Sequence, residues 1–191
     1  MVLSTQYFPS VSWMQAFLLQ DDIQIAQWEN YQKQGLMNRC KIMGAQGIIT
    51  LSVPLTGGRE QKTLVKDVGI NNTTRWQTDQ LRAITSCYRK APFYEYYFQQ
   101  VESLILVKHD NLLEFNVEIL KLLIRWFKWG GQVRLTTNFA KDQPASSPSY
   151  DSQFLRPYIQ VFSDRRPFEA NLSVLDLLFC TGPQAKTFLL S

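Results

Sequence analysis

The sequence predicts an α/β fold: a single layered domain over residues 1–191, with a mixed or parallel sheet and a helical middle segment. The alternative is an α+β arrangement. Three observations predict this. The first half of the chain alternates strand, helix, strand, irregular segment and strand, the order that builds α/β layers. Three amphipathic helical stretches follow between Asn72 and Trp129. The totals fit one globular core: 191 residues, of which 45% are apolar, can bury a substantial interior.

Each element has a local reason. Val2 and Leu3 lead as a short strand into Gln6-Tyr7-Phe8-Pro9, where the proline ends it. Ser10 or Ser12 offers a cap for a helix carrying Trp13, Ala16, Phe17 and Leu18. Ile23-Gln24-Ile25-Ala26-Gln27-Trp28 alternates and reads as a strand. Gln32 to Met43 reads as a polar, mixed segment bounded by Gly35 and Gly44. Ile48 to Val53 reads as a strand stopped by Pro54. Thr56-Gly57-Gly58-Arg59 is a turn, and Leu64 to Ile70 reads as an edge strand.

The middle of the chain is helical. Asn72-Thr73-Thr74 offers caps for a helix to about Lys90, with a break at Pro92. Phe93 to Leu106 is a second helix. A third opens with the capping box Asn111 and Glu114. Its apolar stripe is Leu112, Phe115, Ile119, Leu123 and Trp126, and Gly130-Gly131 ends it. Val133 to Thr137 and Tyr158 to Phe162 read as strands. Residues 141–150 hold two Pro and three Ser, the composition of a mobile loop. Asn171 or Ser173 caps a last helix, which Thr181-Gly182-Pro183 breaks before a short terminal turn or helix.

Composition narrows the function classes. Net charge is +4 and the pI about 9.0. Lys and Arg are scattered, and the densest run is Tyr88-Arg89-Lys90, which argues against nucleic acid as partner. Cys40, Cys87 and Cys180 are odd in number and widely spaced, so neither a disulfide framework nor a metal site is expected. No basic, apolar leader and no apolar run of membrane-spanning length is present, so the expected location is cytoplasmic. No cofactor and no oligomeric state is indicated.

Standard catalytic constellations are missing. His109 stands alone and reads as a surface histidine beside a turn. There is no phosphate-binding glycine loop of either common type. The candidates for ligand binding are polar residues in apolar company. Asn38-Arg39 offers an amide and a planar fork suited to carboxylate or phosphate, and Gly35 and Gly44 would let the backbone approach a ligand. The bland alternative is a surface ion pair beside a loop Asn. Glu29, Asn30 and Tyr31 come at the end of a predicted strand, where ligands gather in α/β sheets. The loop of Gln6 and Pro9 holds an equivalent place, and the two loops would meet if the strands are parallel. Trp76, Gln80, Ala83, Ile84 and Cys87 share one helix face. Gln80 there is either a satisfied core amide or a ligand contact. Tyr88 and Tyr94 belong to a Tyr-rich, Pro-broken corner that either stacks on a ring or packs helices.

Taken together, these residues resemble the WbqC-like family of small bacterial proteins, often encoded with polysaccharide and O-antigen biosynthesis genes. The likeness rests on Gln6-Tyr7-Phe8-Pro9, Asn38-Arg39, Leu51-Ser52-Val53-Pro54, Arg75-Trp76-Gln77, the Tyr88–Tyr97 run and Leu172–Phe179. It implies a transferase that modifies a surface-glycan sugar or its nucleotide-sugar precursor, with glycine or aminoacyl transfer suggested for some members. The alternative is a non-catalytic small-ligand-binding or scaffold protein of the same pathway. A nucleotidyl-type fold is a third reading, on fold analogy alone. The chain departs from the family pattern in two places. Relatives often carry His where Gln80 stands, and commonly Asp where Gln27 or Trp28 stands. A Gln cannot act as a general base, so if that His is catalytic in relatives, this copy binds without reacting or reacts slowly.

Overall fold

The structure is a computed structural model that describes residues 1–57, 63–137 and 156–190. Its elements in order are β1 (Val2–Ser4), α1 (Val11–Leu18), β2 (Asp22–Ala26), β3 (Arg39–Gly44), β4 (Gly47–Ser52), α2 (Trp76–Tyr88), α3 (Tyr94–Leu106), α4 (Leu112–Phe127), β5 (Gln132–Leu135), α5 (Val174–Thr181) and α6 (Ala185–Leu190). The α/β expectation holds. Strands β1, β2 and β5 form a parallel sheet with β2 in the centre, and β3 and β4 form a separate antiparallel pair. The mobile loop expected at residues 141–150 lies outside the described residues.

The parallel sheet follows from short apolar strands joined through α1. Ile23 and Ile25 on central β2 are fully buried, and Leu3 pairs with Ile25 while Ile23 pairs with Val133. Ser10 caps α1, its hydroxyl accepting from Trp13 N at 3.4 Å. The Trp13 indole N–H donates to the Ser4 carbonyl at 2.9 Å. That bond ties α1 to the carboxyl end of β1 and so fixes where the first loop begins.

Three sequence expectations are corrected. The segment read as polar and mixed contains a full strand, β3. Cys40 and Ile42 point inward while Lys41 is exposed, a period-two alternation that becomes a strand once β4 pairs with it. Gly44 and Gly47 close that hairpin opposite one another. Gly47 has φ +133°, a backbone shape that side chains resist. Leu64 to Ile70 is not an edge strand. It holds one short 3₁₀ turn, Val65–Asp67, with isolated bridges from Leu64 to Asn30 and from Gly69 to Asn111. Tyr158 to Phe162 is not a strand either. Its alternation serves side-chain bonding: Tyr158 and Gln160 both donate to the buried Asp176 carboxylate, at 2.6 and 3.0 Å.

Helix boundaries shift in instructive ways. Helix α2 starts at Trp76 with no side-chain cap. Asn71 bonds Thr73 instead, and Asn72 accepts from the Trp76 indole at 3.4 Å. Asn111 does cap α4, accepting from Glu114 N at 3.1 Å, and Ser173 caps α5. Gly182 follows α5 with φ +57°, and a Cβ there would collide with the Phe93 ring. His109 is half-buried rather than on the open surface. Its ring stacks on Phe115 with centroids 4.4 Å apart.

One core joins these parts. Trp13, Tyr7, Tyr88, Phe8, Phe17, Phe115 and Phe179 are its largest buried members among the described residues. Near its far side Asp176 accepts three hydrogen bonds, from Tyr88 at 2.7 Å and from Tyr158 and Gln160. Tyr88 also accepts from Met43 N at 3.0 Å, so this node links α2, β3, α5 and the segment at 158–160.

Candidate functional site

The parallel sheet places three strand ends side by side. Beyond β1 comes Thr5, beyond β2 come Gln27, Trp28 and Glu29, and beyond β5 comes Thr136. The loops interlock at this edge. Thr136 N donates to the Ile25 carbonyl at 3.0 Å, and Gln27 N donates to the Thr136 hydroxyl at 3.2 Å. The Gln27 amide and the Trp28 indole both donate to the Thr136 carbonyl. Lys66 sits 4.5 Å above the Trp28 ring. Strand β1 ends at Ser4, whose hydroxyl donates to Glu29 Oε2 at 2.9 Å. Parallel pairing brings the end of β1 to the Glu29 loop through Ser4, whereas the Gln6–Pro9 loop bonds to Leu36, Ser173 and Val174.

Glu29 is the chemically distinctive group of this edge. Its Oε1 is buried and has no hydrogen-bond partner among the described residues. No ion pair to it is found among them. Burial disfavours the charged form and pushes the carboxyl up to about 7, with the Ser4 hydrogen bond opposing. A carboxyl poised near neutral pH can accept and return a proton under ordinary conditions. Asn116 on α4 holds the other buried side-chain oxygen without a partner among the described residues, Oδ1, while its Nδ2 donates to the Met37 carbonyl at 2.8 Å. Leaving such an acceptor dry costs about 1–3 kcal/mol.

The first loop carries backbone strain. Phe8 has φ +35° and is almost fully buried, a conformation that costs about 1–3 kcal/mol for a bulky residue. It is held by the Ser173 hydroxyl on the Phe8 carbonyl at 2.9 Å and by Val174 N on the Pro9 carbonyl at 2.8 Å. Gln6, half-buried, accepts from Ser10 N at 3.0 Å.

The other expected residues divide by what their polar atoms already do. Asn38 is buried. It accepts from the Tyr31 hydroxyl and donates to the Val53 carbonyl, both at 2.8 Å. Gln80 accepts from the Tyr7 hydroxyl at 2.5 Å and donates to the Ser52 carbonyl at 2.9 Å. Trp76 packs edge-on against Phe115. Tyr88 is engaged at Asp176, and Tyr94 shares a 2.9 Å hydrogen bond with Thr85 and stacks on Phe98. Arg39 opens β3, half-buried, with no ion pair among the described residues. Its charge is felt at Tyr31, where burial raises the phenol and Arg39 opposes the rise. Asn30 is exposed, and its side chain makes no hydrogen bond among the described residues.

Asn38 and Gln80 are tied to the β3–β4 hairpin through Val53 and Ser52 and to Tyr31 and Tyr7. Tyr88 and Tyr94 are engaged elsewhere, and the side chains of Arg39 and Asn30 make no hydrogen bond or ion pair among the described residues. Sequence reasoning placed Glu29 at the strand end but ranked Asn30 above it, because only burial distinguishes the two. Asn116 was missed. It lies four residues after Leu112 and three before Ile119, a polar residue on an apolar stripe. Gln80 was found by that same signal.

These features define an α/β protein with a carboxylate-bearing polar edge beyond its parallel strands. The chain belongs to the WbqC-like protein family, whose model matches residues 5–151. No curated protein and no solved structure matches it. Among the described residues no helix is long and apolar enough to cross a membrane.

Proposed function

We propose that this protein is a transferase that modifies a sugar of a surface glycan, or its nucleotide-sugar precursor, at the carboxyl edge of its parallel sheet. The observation that carries this reading is the half-buried Glu29 carboxyl, whose Oε1 is buried without a hydrogen-bond partner among the described residues and which is raised to about 7. In an acyl or aminoacyl transfer, Glu29 takes the proton from the acceptor hydroxyl as that oxygen attacks the donor carbonyl carbon. The leaving group departs with the bonding electron pair and receives that proton back from Glu29. Arg39 clamps a phosphate or carboxylate of the ligand, and Asn30 orients the acceptor. The family association with polysaccharide biosynthesis supports the substrate class.

Gln80 favours a second reading, a binding or scaffold protein of glycan assembly. Where relatives often carry His, this chain uses the amide as a brace between Tyr7 and Ser52.

A thermal-shift screen against UDP-sugars, acyl-CoAs and aminoacyl donors, followed by turnover assays on the hits, tests both. The transferase reading expects a stabilising ligand that Arg39→Ala no longer binds. It also expects turnover that Glu29→Gln lowers by about 10²-fold or more while ligand binding persists. Binding without turnover supports the scaffold. A screen with no hit removes the sugar-ligand reading altogether.

A further inference from the structure

We propose that the groove between α2 and α3 is a second ligand site, built for a nucleoside diphosphate. It is an open groove of about 630 Å³, a volume within the range of roughly 300–1,000 Å³ typical of small-molecule sites. One wall is the outer face of α2, where Thr78, Leu81, Arg82, Thr85, Ser86 and Arg89 recur at helical spacing. The other wall is Phe98, Glu102 and Leu106 of α3.

The chemistry of the walls divides by ligand part. Arg82 and Arg89 stand seven residues apart, two turns along one face, so their Cα atoms are roughly 10 Å apart. Neither makes an ion pair among the described residues. Two guanidinium forks at the ends of one groove suit a diphosphate, because each can bond phosphate oxygens in pairs. Ser86, exposed between them, adds a hydroxyl donor. Phe98 and the exposed Leu106, over the edge of the buried Leu81, supply an apolar surface against which a planar base can lie. Glu102 would repel a simple polyanion. It suits the ribose instead, whose hydroxyls donate to a carboxylate in many dinucleotide sites. One acid beside two arginines thus selects a nucleoside diphosphate over pyrophosphate or a plain acidic peptide.

This site stands apart from the Glu29 edge. The opposite face of α2 carries Trp76 and Gln80 into the core, and Gln80 bonds there with Tyr7 and Ser52. The inference therefore survives or fails independently of the proposed transfer chemistry.

Calorimetric titration of the full chain with UDP, ADP, inorganic pyrophosphate and an acidic helical peptide tests it. The expected result is saturable binding of a nucleoside diphosphate. Arg82→Ala with Arg89→Ala weakens it about tenfold or more, the loss of one charge-assisted bond being enough for that factor. Glu102→Gln weakens the nucleotide and leaves pyrophosphate unchanged or tighter. Arg82→Lys with Arg89→Lys keeps the charge, removes the forks and gives an intermediate loss, which guards against a folding defect in the alanine pair. The proposal is overturned if neither nucleotide saturates at millimolar concentration, if the arginine variants bind as well as wild type, or if only the acidic peptide binds.

Discussion

Glu29→Gln should stabilise the protein in alkali and leave it unchanged in acid. The folded carboxyl is raised from 4.5 to about 7, so the unfolded chain gives up this proton at a lower pH than the native protein does. Below pH ~4.5 both states hold the proton, and the group does not penalise folding. As pH climbs through about 7 the native state must ionise a buried carboxyl, and stability is lost. The full difference corresponds to about 3 kcal/mol. Glu29 is only half-buried, so solvent screening trims the figure to about 2 kcal/mol. The neutral amide has the same shape and no charge to desolvate. Thermal melts of both proteins at about pH 4.5 and pH 8.5 measure the effect, with the variant melting about 4–8 °C higher than wild type only at the upper pH. A difference of equal size at the two pH values would refute the reasoning, because a packing or hydrogen-bond change does not titrate.

Two further substitutions test the bracing networks. Gln80→Ala strands the buried Tyr7 hydroxyl and removes the bond to the Ser52 carbonyl, and urea unfolding should register a loss of about 1–3 kcal/mol; a loss under about 0.5 kcal/mol would mean the amide is dispensable to the fold. Asp176→Ala removes the acceptor shared by Tyr88, Tyr158 and Gln160. It should cost about 3–5 kcal/mol, far more than Tyr158→Phe at about 1 kcal/mol, and similar losses in the two variants would contradict the shared-node account.

How much was legible depended on whether a feature is local. Asn111 announced its helix, and Ser10 and Ser173 each did so as one of two candidates, beside Ser12 and Asn171, because a cap acts on a backbone amide two or three residues away. The stripe of α4 was readable for the same reason, since its period belongs to one helix. Strand β3 was hidden although Cys40 and Ile42 alternate with Lys41, because a strand needs a partner and β4 supplies it. Tyr158 to Phe162 carries a similar alternation and has no partner among the described residues, so the same signal led to a strand where none forms.

The sequence by itself determined the α/β class, the helical middle, the family likeness and the loops that flank the candidate site. Those properties follow from side-chain order and spacing along the chain. Only the tertiary structure decided what the polar residues do. In the sequence Gln80 reads as either a satisfied core amide or a ligand contact, and Asn38 as either a ligand contact or a loop residue; in the fold each spends hydrogen bonds on partners distant in the chain. Glu29 looked no more telling than its neighbour Asn30. Burial separated them, because desolvation is set by what the rest of the chain packs around a group and appears nowhere in its immediate sequence.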